Sequence, residues 1–163
     1  MRIASISTGF IEVPGQICLH IYAQGCKLNC KGCQNPELQK FDGGEHINVD
    51  EMGIILKDHM MPKWICWGGG DATYQPEDFK EFNKLFKSKG YKVALYTGQY
   101  FDDVIDLLEN VDLVIDGPWE GTPVAEESTN QKVHIKEQNV WKQIKFSEVK
   151  GLLKKQGEIQ NAS

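Results

Sequence analysis

Residues 63–96 read KWICWGGGDATYQPEDFKEFNKLFKSKGYKVALY and hold one complete strand–helix–strand unit. Lys63–Trp67 is a short apolar run that stops at Gly68, Gly69 and Gly70, which reads as a strand with a tight exit. Pro76 opens a helix, because the N–H it lacks has no partner at a first helical position anyway. Glu77 and Asp78 suit the positive end of the helix dipole, and Lys84, Lys87 and Lys89 suit the negative end. Phe79, Phe82, Leu85 and Phe86 recur at the helical period and form one apolar stripe, and Gly90 closes the element. Tyr91–Tyr96 is the next strand. A strand, a crossover helix and a second strand predict parallel pairing with a right-handed connection.

The same grammar extends both ways. Upstream, Gln16–Ala23 (QICLHIYA) alternates and is rich in β-formers, so it reads as a strand. Lys27–Asn35 is a polar loop with Gly32 inside it, and Phe41–Glu45 is a turn. Asp50–Met60 reads as a helix with Met52, Ile55, Leu56 and His59 on one face, capped by Asn48 or Asp50 and ended by Pro62. Downstream come a helix over Phe101–Glu109 with Val104, Ile105, Leu107 and Leu108 inside, and a strand over Val111–Ile115. Gly117–Gln131 is a long polar loop, of the kind that is usually functional or mobile. Val133–Ile135 and Val140–Phe146 read as a last strand pair, Ser147–Lys155 as a helix, and Gly157–Ser163 as a frayed end. The expectation is one α/β domain over residues 1–163 with a mainly parallel sheet. Its core spans about residues 14–146 and its C-terminal tail is weakly ordered.

Composition excludes several function classes. Hydrophobic residues make up 40% and charged residues 25%, which is ordinary for a globular domain. A net charge of −5 argues against broad binding of a phosphate backbone, so no direct nucleic-acid partner is expected. The Lys150–Lys155 stretch reads as a solvated helix face. No apolar run is long enough for a bilayer span, and Met1–Val13 lacks the apolar core of a signal peptide, so a cytoplasmic location and no membrane contact are expected.

The chain has five cysteines: Cys18, Cys26, Cys30, Cys33 and Cys66. The number is odd and three of them are crowded together, which makes a poor disulfide framework and points to metal or redox chemistry. In Cys26-Lys-Leu-Asn-Cys30-Lys-Gly-Cys33 a loop can turn all three thiolates toward one centre. A [4Fe–4S] cluster normally takes four cysteines. Three would leave one iron open, and an open iron can bind a ligand. A structural zinc site would need a fourth ligand from Cys18, Cys66, His20, His46, His59 or His134, none of which stands at a zinc-finger spacing. A redox pair of Cys30 and Cys33 would leave Cys26 without a role. Cys18 and Cys66 lie in apolar strands and read as small buried hydrophobes. Asp71 sits against the glycines. Asp116 follows a strand and reads equally as a turn residue or a site residue. Tyr96, Trp64 and Trp67 read as core or pocket wall, and His20 as packed or hydrogen-bonded.

The CxxxCxxC spacing resembles the signature of the radical S-adenosylmethionine enzymes. A narrower resemblance is to the small activating proteins of anaerobic ribonucleoside-triphosphate reductases. Four stretches carry it: Gly25–Pro36 (GCKLNCKGCQNP), Tyr96-Thr97-Gly98, Val111–Pro118 (VDLVIDGP) and Ser128–Val133 (STNQKV). Gly32 stands before the last cysteine, where many radical S-adenosylmethionine enzymes carry an aromatic residue, and a glycine there is typical of the family this chain resembles. Ala72 replaces the family's proline after the glycine motif, Gln99 its tyrosine, and Glu126 and Glu127 its Arg-Gly pair.

The resemblance implies an incomplete βα barrel. It implies that Cys26, Cys30 and Cys33 hold a [4Fe–4S] cluster, and that Gly32, Cys33, Gln34, Gly69, Gly70 and Asp71 bind S-adenosylmethionine. Gly69-Gly70-Asp71 would stand for the motif that meets the methionine amino group. No catalytic residue beyond these ligands is implied. An external donor such as flavodoxin or ferredoxin would supply one electron, and S-adenosylmethionine would be cleaved to a 5′-deoxyadenosyl radical. The radical would take a hydrogen from a glycine of the large reductase subunit, the protein substrate. The alternatives are an activator of another glycyl-radical enzyme such as a formate lyase, a radical enzyme acting on a small molecule, and a non-catalytic iron–sulfur or zinc module.

Overall fold

The glycine-ended strand lies near the middle of a single eight-stranded sheet. A computed structural model describes residues 1–126 and 128–161. In chain order the elements are β1 (Arg2–Gly9), β2 (Cys18–Ala23), β3 (Glu45–His46), α1 (Val49–Ile55), β4 (Trp64–Gly69), α2 (Pro76–Ser88), β5 (Lys92–Tyr96), α3 (Phe101–Val104), β6 (Leu113–Asp116), β7 (Lys132–Glu137), β8 (Val140–Ile144) and α4 (Phe146–Asn161). The sheet order is β3-β1-β2-β4-β5-β6-β7-β8. Strands β2, β4, β5 and β6 pair in parallel, as the sequence predicts. The flanking strands β3, β1, β7 and β8 pair antiparallel, so the sheet is mixed.

Strand β1 is absent from the sequence expectation. Its RIASISTG buries only Ile3 fully, and Ser5, Ser7 and Thr8 face solvent, so it has no continuous apolar signature. Helix α1 is shorter than expected. Asn48 and Glu51 close a reciprocal capping box, but the helix ends at Ile55 and tightens into a 3₁₀ turn over Leu56–Asp58. Met60 and Met61 are exposed. Helix α3 likewise gives way to a 3₁₀ turn over Ile105–Leu107, and Ile105, expected inside, is exposed while Val104 and Leu108 are buried. Helix α4 is longer than expected and runs through Asn161; residues 162–163 lie outside those described.

The two sheet faces differ, as the two-residue period of strands requires. One face carries Leu19, Ile21, Ile65, Trp67, Val93, Leu95 and Val114 and packs under α1–α3. Trp67 sits among Phe79, Phe82 and Phe86 of α2 at ring-centre distances of 5.7, 6.2 and 5.8 Å, and its indole N–H donates to Asn83 at 2.8 Å. The other face carries Cys18, Cys66, Ala94, Leu113, Ile115, Val133 and Ile135, covered by Val13 and by Val149 and Leu153 of α4. This cover ends partway along the strands. Beyond it the same face presents His20, Tyr22, Gly68 and Tyr96 to a cavity. Among the described residues no helix is long and apolar enough to cross a membrane.

Asp116 closes this framework and is not on the cavity wall. Its carboxylate accepts the N–H of Phe101 at 2.8 Å and of Lys132 at 3.2 Å, with His134 Nε2 at 3.4 Å. It therefore ties the start of α3 to β6 and β7. Burial pushes its acidity up, but His134 and the two backbone N–H groups outweigh this and hold the carboxyl below the ordinary aspartate range. A depressed carboxyl stabilises the fold above its unfolded-state range, and this is lost as pH falls through the folded value. Asp116→Asn is expected to cost about 1–3 kcal/mol at neutral pH. The gap between variant and parent should narrow in acid, read by urea unfolding at both pH values.

Candidate cluster and cofactor site

The cavity exists because the sheet parts. Pairing of β4 with β2 continues to Gly69, opposite Ala23, whereas pairing of β4 with β5 stops at Trp67, opposite Leu95. The backbone of Gly68–Gly70 thus has no sheet partner on the β5 side. It is fastened on the other side: Gly70 N–H donates to Ala23 at 2.8 Å and Asp71 N–H to Gly25 at 2.9 Å. Gly69 holds φ +87°, the left-handed region that favours glycine. A Cβ on Gly70 would lie 2.6 Å from the Gly25 carbonyl oxygen and 2.8 Å from that of Ala23. Only glycine lets this strand end lie against the base of the cysteine loop.

The cysteine loop is clamped at its root and turned at its tip. Gly25 N–H donates to Leu38 at 2.7 Å and Cys26 N–H to Gln39 at 3.1 Å, while the Gln24 amide donates to Lys40 at 2.6 Å. Asn29 (φ +49°) and Gly32 (φ +70°) reverse the chain, and Cys33 N–H donates to the Cys30 carbonyl at 3.1 Å. Leu28 packs on Gly98, and the Lys27 ammonium lies over the rings of Phe41 and Tyr74 at 5.9 and 5.7 Å. Cys26, Cys30 and Cys33 are all half-buried, free and on the wall of one cavity of about 580 Å³. That volume suits a small organic molecule.

The donor set fits an iron–sulfur cluster with one open iron. Burial, more than any other cause, pushes the Cys26 thiol up; the Leu28 N–H lowers it, and Asp71, Cys30 and Cys33 raise it further. A metal charge at this point would reverse that balance and draw off the protons. The described residues bring no fourth cysteine to the wall. Cys18 and Cys66 are buried in the core beneath it, where burial pushes Cys18 up to about 12 and Cys66 well above the ordinary thiol value. Among the described residues no three His, Cys, Asp or Glu side chains close around a single ion. A four-iron cube spreads its thiolates over separate irons and does not need such closure.

The other expected site residues separate into two groups. Gln34, Gly69 and Gly70 line the cavity with the cysteines. Asp71 reaches the wall, but its carboxylate is occupied by protein donors. One oxygen accepts the Thr73 N–H at 3.1 Å and hydroxyl at 2.6 Å; the other accepts the Thr97 hydroxyl at 2.8 Å and the Gly98 N–H at 3.0 Å. Burial raises its pKa, although all four bonds lower it. Asp71 thus fixes the ends of β4 and β5 relative to each other. Gln99 joins this network through the Thr73 hydroxyl, and Ala72 beside it is buried. Gly32 is not on the wall; its carbonyl accepts the Trp119 indole N–H at 2.9 Å.

Several wall residues were not expected as site residues. Loop 117–131 contributes Trp119, Pro123, Val124 and Ala125. Its two ends are stitched by Asn130 donating to the Pro118 carbonyl and Gln131 to that of Gly117, which gives the STNQ stretch a structural reason. Of the departures at Glu126 and Glu127, Glu127 lies outside the described residues. Thr97, Glu12, His20 and Tyr22 also face the cavity. Tyr96 is pocket wall and donates its hydroxyl to the Glu12 carbonyl at 2.7 Å, while Trp64 and Trp67 are core.

Residues 12–141 match the family described as the 4Fe-4S single cluster domain. The chain is 32% identical over 124 residues to the pyruvate formate-lyase-activating enzyme of Clostridium pasteurianum, covering 70% of this chain and 50% of the relative. It therefore spans half the length of that curated relative. The crystal structure of QueE from Escherichia coli superposes with a TM-score of 0.50 at 13% identity, over 60% of this chain and 52% of that one, a likeness of fold alone. The chain belongs to the 4Fe-4S single cluster domain family, within the radical S-adenosylmethionine superfamily, whose cofactors are a [4Fe–4S] cluster and S-adenosylmethionine.

Proposed function

We propose that this chain is an activating enzyme that installs a glycyl radical on a partner protein, the large subunit of an anaerobic ribonucleoside-triphosphate reductase. The observation that carries the reading is the set of three half-buried thiols on one cavity wall, to which the described residues bring no fourth cysteine, in a cavity also lined by the glycine backbone that has no sheet partner on the β5 side. Cys26, Cys30 and Cys33 would hold the cluster. Gly69 and Gly70, with Cys33 and Gln34, would hold the methionine end of S-adenosylmethionine, while Asp71 and Gly32 keep those walls in place.

When bound, the two cofactors supply one-electron cleavage chemistry that ends in abstraction of a hydrogen atom, the electron coming from a donor such as flavodoxin or ferredoxin. The chain's own part is position and exclusion. The Trp119 bridge to Gly32 closes the loop 117–131 over the cysteine side, and Val124 and Ala125 keep that wall apolar. Residues 1–163 act as one domain in this reading. The sheet is an incomplete barrel whose open side the partner covers, and the protein works in the cytoplasm.

The reductase target is supported by the four sequence stretches, of which Tyr96-Thr97-Gly98 lines the cavity and STNQKV contributes Gln131 to it. A second reading, in which the target is pyruvate formate-lyase, is supported by the relative's printed function and the 32% identity. Anaerobic reconstitution with each candidate partner, S-adenosylmethionine and a reductant separates them. The expected result is a glycyl-radical resonance on the reductase. A radical on the lyase alone would move the target, and S-adenosylmethionine cleavage without a radical on either would overturn the activating reading.

A further inference from the structure

The His20 side chain is an element of the cavity that the cluster and methionine assignments leave unused. The residue is only 8% exposed and lies on the cavity wall. Its ring stacks on Tyr22 at 4.1 Å between centres, with an interplanar angle of 20°. Its Nδ1 lies 3.1 Å from a Glu12 carboxylate oxygen. A carboxylate only accepts, so Nδ1 carries the proton and the neutral ring presents a bare lone pair at Nε2. That Nε2 is buried and has no hydrogen-bond partner among the described residues. It lies 2.5 Å from where a Cβ on Gly68 would stand, so the first glycine of the run is what leaves room beside it. Burial lowers the ring's pKa further than Glu12 restores it, in keeping with a neutral acceptor.

A buried acceptor without a partner is costly unless a ligand supplies the donor. We propose that His20, held by Glu12, is a positioning residue whose Nε2 accepts a hydrogen bond from the nucleoside half of S-adenosylmethionine. This rests on the site reading above. If the methionine half lies at the cysteines and at Gly69–Gly70, the ammonium group is used there. The donors left for the inner part of the cavity are the ribose hydroxyls and the adenine amino group, both of the type that Nε2 lacks.

Two near-isosteric variants divide the ring's two roles. In His20→Asn the amide reaches the Nδ1 position only; in His20→Gln it reaches the Nε2 position and keeps an acceptor there. Binding of S-adenosylmethionine and, separately, of L-methionine to the anaerobically reconstituted, oxidised protein is measured by calorimetry. His20→Asn is expected to weaken S-adenosylmethionine about 3–10-fold, the worth of one hydrogen bond, and to leave L-methionine unchanged. His20→Gln is expected to restore most of the loss. Unchanged S-adenosylmethionine affinity in His20→Asn, or an equal loss for both ligands, would overturn the proposal. Parent protein that carries a cluster yet binds no S-adenosylmethionine would instead sink the reading of the site.

Discussion

Cys30→Ser is expected to leave a folded protein with no stable cluster and no cleavage of S-adenosylmethionine above background. Serine offers a hard, protonated oxygen where iron–sulfur chemistry needs a soft thiolate, and two remaining cysteines cannot hold a four-iron cube. The fold should barely notice, because Cys30 is half-buried, free and at the tip of a loop clamped elsewhere by Gly25, Cys26 and Gln24. Iron and sulfide content measures the first effect, and urea unfolding the second, with a change within about 0.5 kcal/mol. The same outcome is expected at Cys26 and Cys33. Cys18→Ala should do the reverse: it keeps the cluster and costs about 1 kcal/mol, because it empties part of the core under α4. A Cys30→Ser protein with a full cluster would mean that another ligand serves.

Asp71→Ala is expected to be the most damaging single change to the framework of the site. Removal of the carboxylate strands the N–H groups of Thr73 and Gly98 and the hydroxyls of Thr73 and Thr97, all now bonded to it. Buried donors left without acceptors cost about 1–3 kcal/mol each before relaxation. A total of about 2–5 kcal/mol is expected, seen as a fall in Tm of roughly 5–15 °C. The ends of β4 and β5 would also lose the tie that sets the spacing across the cavity, so S-adenosylmethionine affinity should fall with it. Asp71→Asn fits the space but presents N–H groups to donors on one side, and should lie between. A stable Asp71→Ala protein that binds the cofactor normally would show that the network is dispensable.

The parallel centre was legible in the sequence because its strands are buried on both faces and its helices carry strong stripes. Phe79, Phe82 and Phe86 needed no context to be placed inside. The cysteine loop was legible because ligand chemistry tolerates few spacings. Strand β1 was not, since an edge-side strand that buries little apolar surface owes its state to its neighbours β2 and β3 and not to its own pattern. Helices α1 and α3 were over-extended for a related reason: apolar residues such as Ile105 fit the helical period yet meet no partner surface. The site was half visible. The glycines and cysteines carry local signatures, but the engagement of Asp71 by Thr97 and Gly98 joins residues far apart in the chain. Likewise, the pairing of Glu12 with His20 and of Trp119 with Gly32 arises only when the loops are brought together.

In the proposed reading Cys26, Cys30 and Cys33 leave one iron of the cluster open to S-adenosylmethionine. Electron paramagnetic resonance of the dithionite-reduced, reconstituted protein, recorded with and without S-adenosylmethionine, tests it most directly. The expected result is a [4Fe–4S]⁺ signal whose g-values shift on addition of S-adenosylmethionine, with the shift absent in a control given S-adenosylmethionine-free buffer. A cluster signal that S-adenosylmethionine leaves unmoved would mean a coordinatively complete centre with no iron open to the cofactor.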